Sequence, residues 1–120
     1  MKSNLIAFRR ERMGIMKSSL FIDNITKCGA THTRYLDLDD VSPLAVILLI
    51  KSLGITIHFG DSKDSTVVTR KRAIALADEL TNISFQIQGE DDAAIFHRTS
   101  HIIRASVSEG ARTVRFGFYS

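Results

Sequence analysis

Two histidines and an arginine, His97, His101 and Arg104, fall at i, i+4 and i+7 of a stretch with helical periodicity. At that spacing two imidazoles on one helix face can share a metal ion. A hydrolytic zinc site also needs a third ligand and a general base, and the HExxH pattern is absent because Arg98 follows His97. The stripe therefore reads first as a solvated polar face opposite Ile95, Phe96, Ile102, Ile103 and Val107, with a metal site at His97 and His101 as the alternative. A second set, His58, Gln86 and Arg115, occupies the wet positions of three alternating segments, and Tyr119 extends it. Histidine, glutamine and arginine on one sheet face suit contact with an anion or a peptide. They lack the water-excluding pocket and the pKa-setting partner that a nucleophile or acid–base pair requires. No catalytic residue and no cofactor is expected from either set.

The elements that must carry these residues are legible from period. Ile55–Phe59, Ile83–Ile87 and Val114–Phe118 place large apolar side chains at their first, third and fifth positions, the pattern of a strand with one buried face. Strands joined by helices usually form parallel sheets covered on both faces, which read as continuous apolar runs, and these do not. The expectation is an α+β fold. It is a two-layer α/β sandwich, with a mixed sheet of about five strands and three helices on one face, in the order β-β-α-β-α-β-α-β. Strands are expected at 19–23, 32–38, 55–59, 82–88 and 112–119. Ser42-Pro43 predicts the first helix start and Gly54 its end. Asp39 and Asp40 precede that start, where the helix dipole favours negative charge. Leu44–Ile50 is apolar nearly all round, as in a helix central to its layer or covered by a second subunit. The second helix is expected at about 67–80, burying Ala73, Ile74, Ala77 and Leu80, and the third at about 92–108.

Composition bounds the functional classes. At 120 residues, 44% hydrophobic and 24% charged, the chain matches one globular domain at 18–120 behind a basic arm at 1–17. Its longest apolar stretch falls far short of a membrane span, and the apolar run after Lys2 is too short for a secretory signal. A cytoplasmic location is expected, and the lone Cys28 agrees with a reducing compartment. The net charge of +3 lies wholly in residues 1–15, where Lys2, Arg9, Arg10 and Arg12 face only Glu11. A nucleic-acid-binding module would therefore use Arg9, Arg10 and Arg12, assisted by Arg70, Lys71 and Arg115. Against it, Phe59, Phe85, Phe116 and Phe118 share the buried parity, which removes them as stacking platforms.

Leu38-Asp39-x-x-Ser42-Pro43 at a strand-to-helix junction, and Asp64-Ser65 ahead of the second helix, resemble two motifs of the STAS domains of anti-sigma-factor antagonists. That resemblance implies a mixed sheet with helices to one side and regulation through phosphorylation of Ser65. The small Gly-Leu pair that usually follows D-S is Thr66-Val67 here, and the chain ends on a strand instead of a helix. The leading expectation is a small non-enzymatic cytosolic protein-interaction or regulatory domain, with another protein or a second copy of the chain as its partner. Nucleic-acid binding, STAS-like regulation and metal-dependent catalysis by the histidines are the alternatives.

Overall fold

The computed structural model describes residues 19–26, 31–55 and 65–119. The basic arm at 1–17, Cys28, His58 and the rest of 56–59, and the loop at 60–64 lie outside the described residues.

Alternation along Ser19–Thr26 turns Leu20, Ile22 and Asn24 to one side and Phe21, Asp23 and Ile25 to the other, and this segment is strand β1. Strand β2, Thr31–Asp37, pairs antiparallel with it, placing Leu36 beside Leu20 and Arg34 beside Ile22. The last strand, Ala111–Tyr119, lies on the other side of β1, with Phe116 opposite Ile22 and Phe118 opposite Leu20. Strand β3, Ser65–Thr69, pairs antiparallel with that last strand, β4. Among the described residues the sheet therefore has four strands in the order β2-β1-β4-β3, and each pairing is antiparallel. The expected α+β class holds, while the described pairings are antiparallel and not mixed, and 56–59 of the expected third strand lies outside the described residues. The covered face of the sheet carries Leu20, Ile22, Leu36, Val114, Phe116 and Phe118, all in the core.

Helix α1, Pro43–Ser52, starts and stops where its punctuation dictates. Ser42 Oγ accepts the Ala45 amide hydrogen at its start. At its end the Gly54 amide donates to Lys51 O and the Ile55 amide to Ile50 O, with Gly54 at φ +78°. That paired closure needs a left-handed residue, and glycine enters that region without a Cβ penalty. Helix α3, Glu90–Ser108, buries Ile95, Phe96, Ile103 and Val107 as expected from its period, although Ile102 is only partly buried.

Helix α2 is Arg70–Ser84, three residues later at its start than expected and four later at its end. Thr66-Val67-Val68-Thr69 is a β-branched run whose stiff side chains pack better on a pleated strand, so these residues form β3. Thr69 then caps α2 by accepting from the Arg72 amide. No strand forms at 82–88. Leu76, Leu80, Ile83 and Ile87 also satisfy helical spacing, and the chain follows that longer pattern through Ser84 before turning. Ile83 and Ile87 pack against the core, while Phe85 is 79% exposed and Gln86 sits in the turn, off the sheet. Ile74, also expected to be buried, is exposed. Among the described residues no helix is long and apolar enough to cross a membrane.

Candidate functional site

One concave surface among the described residues is built where two helices begin. Asp39 and Asp40 lead into α1, and Glu90, Asp91 and Asp92 form the first turn of α3. Asp92 joins the two starts. Its Oδ1 accepts the Ser42 amide hydrogen and its Oδ2 accepts the Ser42 hydroxyl, each at 2.8 Å. The result is a cleft of about 500 Å³, lined chiefly by Asp39, Asp40, Val41, Pro43, Glu90 and Asp91. Two helix N-termini together present roughly one positive charge, and an anion would be welcome there alone. The five carboxylates at the two helix starts carry charge of the opposite sign to that field. Among the described residues, however, no group of three histidine, cysteine or acidic side chains is placed to hold a metal ion.

Beside the cleft, α1 is apolar on more than its buried side. Ala45, Val46, Leu49 and Ile50 are buried in the core, while Leu44 and Leu48, one turn apart, are 66% and 43% exposed. Leu44 follows directly on Pro43 of the cleft wall.

A second polar cluster closes the far end of α3. Glu109 caps that helix at its negative pole, an unfavourable place for a carboxylate. Arg34 on β2 offsets it, its Nη2 donating to Glu109 Oε2 at 2.6 Å and its Nη1 to the buried Ser106 Oγ at 3.3 Å. Asn24 Nδ2 donates to Glu109 Oε1, His32 Nδ1 lies 3.7 Å from the same oxygen, and Asn24 Oδ1 is buried without a hydrogen-bond partner. The Arg34 hydrogen bond, against some desolvation and with help from the charges of Arg34 and His32 and the Asn24 bond, lowers the Glu109 pKa below its usual 4.5. A carboxyl whose folded pKa is depressed stabilises the fold above its unfolded pKa, and that stabilisation is lost as pH falls through the folded value. The stability gap between the wild type and Glu109→Gln should accordingly shrink as pH falls below about 4.5, read from urea midpoints across a pH series.

No protein-family model, no curated protein and no solved structure matches this chain. Its function must be argued from its own geometry.

Of the residues expected to form a partner patch on the sheet, Arg115 and Tyr119 share β4, whereas Gln86 is off the sheet. His58 lies outside the described residues, Gln86 is at the end of α2, and Tyr119 ends β4 opposite Ser19. Arg115 is on the open face, but its guanidinium is committed to Asp23: Nε donates to Oδ2 at 2.8 Å and Nη2 donates to the same oxygen. It also lies over the Phe21 ring, 5.9 Å from the centroid. Phe21 in turn covers Gly117, where any Cβ would collide with the ring. His97 and His101 are both exposed on α3, and Arg104 pairs with Asp78 at 2.6 Å. Of the basic residues at the start of α2, Arg70 donates to Ala111 O, Arg72 pairs with Glu79, and Lys71 is exposed. Arg9, Arg10 and Arg12 lie outside the described residues. Ser65 is exposed at the start of β3, opposite Gly117. The acidic cleft escaped the sequence reading because its two halves are separated by about 50 positions and each is an ordinary helix start. Glu109 did carry a signal, a carboxylate at the end of a helix pattern, which demands a nearby cation.

Proposed function

We propose that this chain is a non-enzymatic protein-interaction domain whose docking surface is the outer side of α1 where it meets the acidic cleft. The observation that carries this reading is the exposure of Leu44 and Leu48, side by side on one helix face, while their neighbours Ala45, Val46, Leu49 and Ile50 are buried. A scattered exposed leucine is ordinary, but a pair one turn apart on one helix face offers an apolar anchor point to a partner. The cleft beside it supplies charge for orientation and rate of encounter. The cleft's polar groups support recognition better than catalysis, since Asp92 is spent on Ser42.

Site-specific photo-crosslinking tests the reading. A photoreactive phenylalanine at position 48 should give one discrete adduct in an extract of the source cells, and the same group at the exposed position 97 should not. Excess unlabelled wild-type protein should compete the adduct away, and Leu44→Ser/Leu48→Ser should not. Equal adducts from both positions, or competition by the double variant, would refute the assignment.

A further inference from the structure

We infer that the open face of the sheet binds single-stranded nucleic acid, stacking bases on an aromatic row while the basic arm ahead of β1 holds the phosphates. The inference does not depend on the α1 surface. It concerns two aromatic residues that the parity argument on Phe59, Phe85, Phe116 and Phe118 did not weigh. Register sets Phe21 of β1 beside Tyr35 of β2 and opposite Gly117 of β4, all on the face away from the core. The Phe21 ring fills the space that a Cβ at position 117 would need, so it lies across the strands. The contacts that Tyr35 makes within the molecule leave it 62% exposed, and the Arg115 guanidinium near Phe21 adds a third flat group. Bases stack on such surfaces with little regard to sequence, because every base has a π face.

Charge assigns the phosphates to the arm. Among the described residues this face holds two carboxylates, Asp23 paired with Arg115 and Asp37 at the corner beside Ser19, so the face itself offers an anion little. Residues 1–15 carry the whole net charge of +3, and that arm enters the sheet at Ser19, two positions before Phe21. From Arg12 to Ser19 is seven residues, at most about 24 Å of chain, which lets Arg9, Arg10 and Arg12 reach phosphates on either side of a stacked base. A duplex keeps its bases inside its own stack. An acidic protein segment would answer the arm but leave the aromatic row without a flat partner. Closing the arm itself over the row would set its three arginines beside Arg115 with Asp37 alone to offset them, so the arm serves better as a phosphate ligand than as a cover.

The test titrates the full chain, labelled with nitrogen-15, with a twelve-nucleotide oligothymidylate, an abasic strand with the same number of phosphates, a duplex of the same length and a polyglutamate peptide of the same charge. The oligothymidylate should bind at least tenfold more tightly than any of the others and shift the amide signals of Phe21, Tyr35, Arg115 and Gly117. Tyr35→Ser should lose at least fivefold in affinity and Tyr35→Phe less than twofold. If Tyr35→Ser does not fold, the amide shifts and the abasic comparison in the wild type carry the same distinction. Deleting residues 1–15 should cost at least tenfold and reduce the slope of log affinity against log salt by about 2, from three phosphate contacts at about 0.7 each. Equal binding of the abasic strand or the duplex, shifts confined to another surface, or no binding would overturn the stacking site. Unchanged affinity after the deletion would overturn the role of the arm, and higher affinity would make the arm the occupant of the face. Tighter binding of polyglutamate would make the occupant an acidic protein segment and overturn the inference. The α1 reading stands or falls separately, because none of these probes or variants touches Leu44 or Leu48.

Discussion

Arg115→Ala is expected to lower the unfolding free energy by about 2–3 kcal/mol, read from the urea midpoint at unchanged m-value. Asp23 is 2% exposed on the sheet face away from the helices. Its Oδ2 takes both Arg115 donors, and its Oδ1 takes the Thr33 hydroxyl. Removing the arginine leaves a buried carboxylate with one neutral donor. Breaking a fully buried pair costs about 3–5 kcal/mol, and a smaller cost applies here because the Arg115 side chain is 42% exposed and water can reach its end of the pair. The packing of its stem and guanidinium over Phe21 is lost as well. Asp23→Asn placed in the Arg115→Ala background should recover part of the loss, because a neutral amide is cheaper to bury than an unpaired carboxylate. If the second substitution adds its own full cost, the two residues are not coupled and the ion pair is not what holds this face.

The same pair shows where sequence reasoning reached its limit. Arg115 was placed correctly on the wet side of its strand by period alone, since Val114, Phe116 and Phe118 claim the buried side. Its partner could not be read, because Asp23 becomes its neighbour only through the β1–β4 register, 92 positions away in the chain. Helix α1 was readable at both ends from Ser42, Pro43 and Gly54, whose roles depend on local backbone geometry only. Strand β3 and the end of α2 were not. The five-residue alternation at Ile83–Ile87 is a subset of the helical pattern that begins at Leu76, and a short window cannot separate the two periods. The acidic cleft is a purely tertiary product. Each of its halves obeys the dipole rule for its own helix, and only their juxtaposition gathers the carboxylates into one surface.

That juxtaposition depends on Asp92, and Asp92→Ala should cost about 2–3 kcal/mol of stability. The carboxylate accepts two hydrogen bonds from a single residue, the amide and the hydroxyl of Ser42, so it holds the start of α1 against the first turn of α3. Without it the Ser42 amide donor is left partly buried and unpaired, and α3 loses one favourable charge near its N-terminus. The Ser42 hydroxyl can still cap Ala45, which keeps α1 itself intact. Asp92→Asn, retaining an acceptor for the Ser42 amide, should cost less than half as much. Ser42→Ala removes the other side of the contact and the cap, at about 1–2 kcal/mol. The double variant should fall short of the sum of its parts, because the Asp92–Ser42 hydroxyl bond is counted in both single variants. Strict additivity in that cycle would mean that the two helix starts are held together by the core beneath them and not by this contact.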